Sequence, residues 1–306
     1  MNHNSIKISV CIPAYNRPEL LTPLLDSILS QKHTNYEIVI CEDASPMREQ
    51  IRNIVDEYKI KWPGLFHYYE NEKNLGYDGN IRNLIAKASG DYCFFMGNDD
   101  LMHPKALESV ASAIARHENI GAVLRTYASF DDSPENINQV FRYFENETFF
   151  PAGPDTITTF YRRSVVISGL VLHREEALKY STDIFDGTLL YQLYLVANIL
   201  INMNGVFSPE ILALYRNGGI PDFGNSEKEK GKFVPNIQTP ESSIHFMRGM
   251  LDIVKWTEEN RNVEIVKRIV TDIGNYCYPI LSIQAKQPLK VFIKYVYQFA
   301  KLGFWK

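Results

Sequence analysis

The first 130 residues alternate between apolar segments and stretches of helical periodicity, and this alternation constrains the fold more than any other feature. The apolar segments read KISVCIPAY, YEIVICED, LFHYYEN, DYCFFM and IGAVLRTYASF, and amphipathic stretches separate them, such as the one that begins at Pro18. Strands that are apolar on both faces are typical of a parallel sheet covered by helices on both sides. The sequence therefore predicts an α/β fold with a mostly parallel sheet flanked by helices.

After about Phe130 the pattern is less regular. The segment FDGTLLYQLYLVANIL predicts a helix that begins near Gly187, and the polar residues 218–238, with several Gly, Pro and Lys, predict a flexible loop. From Pro240 onward helical periodicity dominates. We therefore divide the chain into a main domain, residues 1–238, and a helical C-terminal extension, residues 239–306.

Polar residues follow three of the predicted strands at the point where each strand ends. Because ligands bind at the carboxyl ends of parallel strands, we expect these residues to converge on one edge of the sheet. The strand ends read Pro13-Ala14-Tyr15-Asn16-Arg17, Glu42-Asp43 and Gly97-Asn98-Asp99-Asp100.

The adjacent carboxylates Asp99 and Asp100 have two readings. Mg²⁺ or Mn²⁺ prefers oxygen ligands and keeps one or two protein carboxylates, with water and substrate phosphate completing the shell. Alternatively, the pair caps the following helix or bonds its own backbone in a turn. The neighbouring residues also have two readings each. Tyr15 could stack on a flat base or pack as an ordinary aromatic residue, and Asp43 could accept a hydrogen bond from a base or ribose or cap a helix. Arg17 could face a phosphate or be a solvated loop residue.

Composition narrows the classes of partner. A formal net charge of −4 on 306 residues gives no basis for nucleic-acid binding. Three of the four cysteines lie in apolar strand segments and none forms a CxxC pair, so we expect reduced core thiols in a reducing compartment. The polar first nine residues do not read as a secretory signal. We therefore expect a cytoplasmic protein without nucleic-acid partners.

Four motifs taken together resemble the family 2 glycosyltransferases, which have the GT-A fold. They are SVCIPAYNRPELLTPLLDSILSQ, YEIVICEDAS, NEKNLGYDGNIRNLIAKASGDYCFFMGNDDLMHPKAL and, more loosely, SGLVLHREEAL. The GNDD ending is similar to a subset that includes abequosyltransferase-like enzymes. The resemblance implies a nucleotide-sugar-binding part, residues 1–128, and an acceptor part with the flexible loop, residues 129–238.

The resemblance also implies roles for individual residues. Asp99 takes the position of the usual metal ligand for Mn²⁺ or Mg²⁺, with Asp100 as a second ligand, and Gly97 stands where the family has its first acidic residue. Arg216 resembles the basic residue that precedes the family's flexible loop. The expected nucleotide-sugar-binding residues are Pro13, Ala14, Tyr15, Arg17, Asp43, Asn74, Gly76, Arg82, Asn98, Asp99 and Arg216.

The implied reaction is inverting transfer of a sugar from a nucleotide-sugar donor to a hydroxyl of a surface polysaccharide or a lipid-linked oligosaccharide. A carboxylate removes the acceptor proton, and the family's position for this base corresponds to Asp186 at the start of the predicted helix, with Asp183 as the alternative. Asp186 could instead only cap that helix. A competing hypothesis is a non-catalytic nucleotide- or sugar-binding protein on the same scaffold.

The C-terminal end carries lysines but no acidic residue after Asp272. Apolar residues lie between the lysines at helical spacing, so this segment predicts either a final helix with a solvated lysine face or a basic amphipathic helix on an anionic membrane surface. The second reading predicts a peripheral contact with the inner face of the plasma membrane. The lysines are Lys286, Lys290, Lys294, Lys301 and Lys306.

Overall fold

The computed structural model describes residues 3–219 and 222–304. Ten strands form one sheet in this part of the chain. The strands are β1 (Ile8–Ala14), β2 (Tyr36–Glu42), β3 (Phe66–Glu70), β4 (Tyr92–Phe95), β5 (Leu101–Met102), β6 (Ile120–Phe130), β7 (Ile137–Phe141), β8 (Thr148–Phe150), β9 (Val171–His173) and β10 (Asn204–Arg216).

Helices connect the strands and cover the sheet. The helices are α1 (Pro18–Leu29), α2 (Arg48–Lys61), α3 (Gly76–Lys87), α4 (Ala106–Arg116), α5 (Pro154–Tyr161), α6 (Arg174–Lys179), α7 (Tyr191–Ile199), α8 (Pro240–Arg261), α9 (Val266–Gly274), α10 (Cys277–Ser282) and α11 (Leu289–Lys301). Within the described ranges, no helix combines the length and the apolar character that crossing a bilayer requires.

The strand order is β3-β2-β1-β4-β9-β6-β10-β5, with β7 beside β6 and β8 beside β10. Strands β1, β2, β3 and β4 pair in parallel, as do β6 and β10, whereas β9 is antiparallel to both β4 and β6. The predicted α/β fold is therefore confirmed. Since β1, β2 and β4 run in the same direction, their carboxyl ends lie at the same edge.

A hydrophobic core lies on each face of the sheet. Helices α1, α2 and α4 cover one face with buried residues such as Leu24, Val55 and Val110. Helices α3, α7, α8, α9 and α11 share the other core, in which Tyr295 and Phe299 of α11 are fully buried. The predicted C-terminal helices thus pack against the α/β domain instead of standing apart from it.

The helix expected to begin near Gly187 begins instead at Tyr191. The carboxylate of Asp78, a buried residue on α3, accepts hydrogen bonds from the backbone N–H groups of Gly187, Thr188 and Leu189 at 2.8–3.0 Å and of Tyr191 at 2.9 Å. A carboxylate from a distant part of the chain therefore holds residues 187–190 as a turn and satisfies the helix start.

Candidate active site

A cavity of about 330 Å³ opens at the carboxyl ends of β1, β2 and β4. The sequence predicted that residues from these three strand ends would converge, and the cavity wall contains them together with residues from the start of α3. The predicted residues in the wall are Pro13, Tyr15, Arg17, Asp43, Asn74, Gly76, Asn98, Asp99 and Asp100.

The end of β1 turns sharply through two residues in the left-handed region. Asn16 has φ 54° and Arg17 has φ 55°, and such a conformation is unusual for a residue like arginine. The side chain of Asn98 stabilises this turn by donating to the carbonyls of Tyr15 at 3.3 Å and Asn16 at 3.2 Å. The turn brings the guanidinium of Arg17 to the carboxylate of Asp99, with which it forms an ion pair.

Asp43 fixes the loop that leads into α3. Its carboxylate accepts hydrogen bonds from the backbone N–H of Leu75 at 2.8 Å, the backbone N–H of Gly76 at 3.0 Å and the side chain of Asn71 at 2.7 Å. Burial raises the pKa of Asp43 to about 6, against the lowering effect of these donors. Tyr15, Asp43 and Asn74 all line the cavity, so β1, β2 and the loop before α3 present one continuous wall.

The acidic turn after β4 is held from two directions. Asp100 is buried, and its carboxylate accepts hydrogen bonds from the Ser168 hydroxyl and, at 2.9 Å, from the backbone N–H of Arg216. The Arg216 side chain donates to the carbonyl of Asp99 at 3.2 Å. Burial, together with the nearby charge of Asp99, raises the pKa of Asp100 to about 7. The turn therefore concentrates negative charge that its own surroundings compensate only in part.

Gly97 lets both carboxylates of the acidic turn lie close to the backbone. A Cβ at this position would lie 3.1 Å from Asp99 Oδ1, 3.3 Å from Asp100 Oδ2 and 3.2 Å from Ser168 Oγ. Carboxylate oxygens of Asp99 and Asp100 therefore both lie near Gly97, and carboxylate oxygen is the type of ligand that a hard divalent cation prefers. Among the described residues no group of three or more His, Cys, Asp or Glu could hold a metal.

Residues 222–233, part of the stretch predicted to be a flexible loop, contact the cavity wall. Asp222 accepts a hydrogen bond from the Asn16 side chain at 2.5 Å. Glu229 is buried and accepts from the backbone N–H of Tyr77 at 2.7 Å and of Gly224 at 2.9 Å. At Gly76, which has φ +78°, an added Cβ would lie 2.5 Å from the Ser226 hydroxyl oxygen. Only glycine allows this close approach.

Two of the three acidic residues of this segment, Asp222 and Glu229, were missed by sequence reasoning. Both line the cavity, but they lie in a stretch without periodicity, where single carboxylates are common on solvated surfaces. No sequence signal distinguishes them from the neighbouring Glu227, which is exposed. Their position follows from the path of the loop across the sheet edge.

The other predicted residues lie outside the cavity wall. Ala14 is buried and contributes through its carbonyl, which accepts from the Asp43 N–H at 3.0 Å. Arg82 donates to both carboxylate oxygens of Asp186, at 2.6 and 2.9 Å, and to the carbonyl of Thr182. Asp183 is exposed. Asp186 does not cap α7, because the carboxylate of Asp78 does so. The role of Asp186 as the base stays a prediction.

Arg125 was also missed by sequence reasoning because it lies inside an apolar strand segment. It is fully buried on β6 and donates to the carbonyls of Ser168 at 3.0 Å, Arg163 at 2.9 Å and Val166. Residues 165–168 of this segment line the cavity, and Ser168 carries the hydroxyl that holds Asp100. A buried guanidinium thus shapes this part of the cavity wall.

The fold and the cavity together define a class. The mostly parallel sheet, the helices on both faces and the acidic turn at the strand ends are those of the GT-A fold, the fold of nucleotide-sugar transferases. The chain belongs to glycosyl transferase family 2, whose family model matches residues 9–178, more than half of the chain.

Curated relatives match over about a third of the chain. An abequosyltransferase, RfbV, of Salmonella typhimurium is 36% identical over 100 residues, covering 33% of this chain and 30% of the relative. The poly(ribitol-phosphate) β-N-acetylglucosaminyltransferase TarP of Staphylococcus aureus is 36% identical over 107 residues, covering 34% of this chain and 32% of the relative. The chain thus spans about a third of the length of these two relatives.

Solved structures match over nearly the whole chain. The Staphylococcus aureus protein TarS 1–349, solved in complex with UDP-GlcNAc, superposes with a TM-score of 0.65 at 16% identity, covering 97% of this chain and 80% of that one. The mannosyltransferase PcManGT of Pyrobaculum calidifontis, solved with GDP-Man and Mn²⁺, has a TM-score of 0.54 at 14% identity, covering 98% of this chain and 81% of that one. These matches establish the shared fold.

Proposed function

We propose that this protein is an inverting, metal-dependent glycosyltransferase. It moves a sugar from a nucleotide-sugar donor to a hydroxyl of a surface polysaccharide or a lipid-linked oligosaccharide. One observation carries the proposal: the ends of the neighbouring strands β2, β1 and β4 and the start of α3 line one cavity, with Asp43 after β2, Tyr15 after β1 and the acidic turn after β4. That arrangement suits a molecule with a flat base at one end and a diphosphate at the other.

The donor would lie across this wall. Tyr15 would stack on the base, and Asp43, whose carboxylate already faces polar donors, would accept from the base or ribose. Asn74, Gly76 and Asn98 would complete the nucleotide side. Asp99 and Asp100 would hold Mn²⁺ or Mg²⁺, which would neutralise charge that builds on the departing diphosphate. Arg17 would add its positive charge at the same place.

The relatives support this chemistry by their names. RfbV is an abequosyltransferase, TarP transfers N-acetylglucosamine to poly(ribitol-phosphate), and PcManGT was solved with GDP-Man and Mn²⁺. We infer that this chain belongs to the GNDD-type subset, because its acidic turn reads Gly97-Asn98-Asp99-Asp100. Among these relatives' donors, UDP- and GDP-sugars are the first to test.

The acceptor hydroxyl needs a base on the side opposite the leaving diphosphate. Asp186 remains our candidate, with Asp183 as the alternative. The ion pair with Arg82 contacts both carboxylate oxygens of Asp186 and so orients this side chain. Each carboxylate oxygen keeps a further lone pair, so Asp186 can accept the proton of the acceptor hydroxyl while it remains paired with Arg82. Arg82 would then position the base instead of binding the donor.

The C-terminal helix supports the proposed contact with the inner face of the plasma membrane. Tyr295 and Phe299 of α11 pack into the core, while Leu289, Ile293 and Tyr297, spaced four residues apart, form an exposed apolar row. Lys290, Lys294 and Lys301, all exposed, lie beside this row on the side away from the core. An anionic lipid surface complements both features.

Nucleotide release tests the function directly. The purified chain should release nucleoside diphosphate from one class of sugar donor among UDP-, GDP-, CDP- and dTDP-sugars, only with Mn²⁺ or Mg²⁺ and faster with an envelope extract as acceptor. The alternative function, a non-catalytic nucleotide-binding protein, is motivated by the engaged carboxylate of Asp186. Donor binding without release under any of these conditions would favour that alternative.

A further inference from the structure

A second cavity, of about 650 Å³, adjoins the first. The two cavities share wall residues, including Val165, Leu189, Tyr215 and Phe246. A molecule bound in the second cavity therefore reaches the side of the first cavity that contains the acidic turn. Its volume lies in the range of ordinary ligand sites. An acceptor must approach the donor from a space that opens into the donor cavity, and the second cavity meets that condition.

The lining of the second cavity is largely aromatic and aliphatic. Phe233, Met247 and Met250 form part of its wall. Two of its hydroxyl groups are engaged within the protein: that of Ser243 accepts a hydrogen bond from Gln284 at 2.9 Å, and that of Ser242 bonds Thr239 at 2.8 Å. A free saccharide needs many available donors and acceptors, whereas a hydrocarbon chain needs only such an apolar surface.

The mouth of the cavity is apolar as well. Val234, Ile237, Tyr276 and Ile283 line it and remain between 43% and 59% exposed. Large apolar side chains grouped at a cavity mouth mark a surface that a ligand covers. They come from two separate segments, the loop before α8 and the region around α10, so the apolar mouth is not the property of one local sequence.

A positive charge lies in the same wall. The carboxylate of Asp272 pairs with Arg162 at 2.9 Å and with Arg163 at 3.5 Å. Two guanidinium groups against one carboxylate leave one positive charge in excess, and both arginines line the cavity. A phosphate group matches this excess, and guanidinium groups bind phosphate oxygens in pairs.

We propose that the second cavity binds the lipid end of the acceptor, with a hydrocarbon chain along the apolar wall and its phosphate at Arg162 and Arg163. This deepens the proposed function, on which it rests, by choosing a lipid-linked phosphate over a free polysaccharide as the acceptor. The sugar end of such an acceptor would extend past Leu189 and Tyr215 into the donor cavity.

Calorimetric titration with alkyl phosphates, kept below their micelle concentrations, tests the proposal on the full chain. Dodecyl phosphate should bind, decyl phosphate should bind about tenfold more weakly, and dodecanol should bind more weakly than dodecyl phosphate. Equal affinity for all chain lengths, or equal affinity for the alcohol and the phosphate, would overturn the proposal.

Two matched variants locate the site. Ile237→Glu places a charge at the mouth and should weaken dodecyl phosphate binding at least about tenfold, whereas Ile60→Glu, at an exposed position on α2, should leave it unchanged. Equal losses in both variants would refute the location. Binding of nucleoside diphosphate with Mn²⁺ should be the same in both variants. If the alkyl phosphate experiments fail, the proposed function therefore still stands. If the unmodified chain neither binds nor releases nucleotide, that result contradicts the proposed function itself.

Discussion

Arg17 and Asp99, 82 residues apart in the chain, form an ion pair at the carboxyl edge of the sheet. The pair uses Oδ2 of Asp99, while Oδ1 lies beside Gly97, 3.1 Å from where a Cβ on that residue would be. Asp99 can therefore contact a cation and Arg17 at the same time. The arginine and the cation would both face the diphosphate, so the ion pair would determine where the diphosphate binds.

Removing the carboxylate of Asp99 should abolish the metal-dependent reaction. We expect Asp99→Asn to lower nucleotide release by about 100-fold or more and to weaken Mn²⁺ binding measured by calorimetry. Asp132→Asn, at an exposed position, is the matched control and should behave as the unmodified chain. Full metal-dependent release by Asp99→Asn would show that this residue is not the ligand.

Adding one methyl group at position 97 should disturb the cation site. In Gly97→Ala the Cβ would press on oxygens of Asp99, Asp100 and Ser168 at 3.1–3.3 Å, and we expect a cost of about 1–3 kcal/mol, seen as weaker Mn²⁺ binding and a lower melting temperature. In Gly219→Ala the nearest atom, Asp99 Oδ2, would lie at an ordinary 3.5 Å, so its loss should be clearly smaller. Equal effects in both variants would contradict the steric argument.

Variants of the ion pair between Arg82 and Asp186 distinguish a catalytic role of Asp186 from a structural one. Asp186→Asn and Arg82→Gln each break the pair, so both should lower the free energy of unfolding by about 1–3 kcal/mol. Only Asp186→Asn removes a base, so its kcat should fall by about 100-fold or more with KM little changed, while Arg82→Gln should keep much of its kcat. If the two variants lose kcat equally, Asp186 acts through structure.

Nucleotide binding should depend on pH through Asp43. The folded protein raises the pKa of this carboxyl from 3.8 to about 6, so folding favours the protonated form. Its contribution to stability is present below pH 3.8 and is lost as the pH rises through 6. Binding has the opposite sign, because the carboxylate is the acceptor: affinity should fall as the pH drops below 6.

Calorimetric affinities of the nucleoside diphosphate between pH 5 and pH 8 check this expectation. Asp43→Asn should bind more weakly at pH 8 and should lose the part of the pH profile centred near 6. Since Asp100 also titrates in this range, the comparison of the two profiles, and not the profile of the unmodified chain alone, decides the point. Identical profiles for both proteins would rule out Asp43 as the titrating group.

The exposed row on α11 should bind anionic membranes. Ile293→Asp places a carboxylate in the row and should reduce recovery with vesicles that contain phosphatidylglycerol, because burial of apolar area and attraction to the lipids are both lost. Ile60→Asp is the control, since Ile60 is even more exposed but lies on α2. Recovery of the unmodified chain with vesicles should fall at higher salt and with neutral lipids. Salt-independent binding of both variants would argue against α11 as the membrane-binding element.

The local sequence determined the α/β fold, because an apolar strand buried on both faces can be read from its own residues. IGAVLRTYASF forms β6 over the full predicted range, Ile120–Phe130. The same logic placed Tyr15, Asp43 and Asp99 at one edge, since parallel strands that run in the same direction must end together.

Contacts between distant segments decided the rest. Asp78 sets the start of α7 from more than 100 residues away, Arg125 shapes the cavity wall through carbonyls of residues 163–168, and Glu229 reaches the start of α3 across 152 residues. The functions of these buried charged groups depend on which backbone N–H and C=O groups face them in three dimensions. Sequence periodicity reports only which side of an element is apolar, so it predicted the sheet and its edge but not these partners.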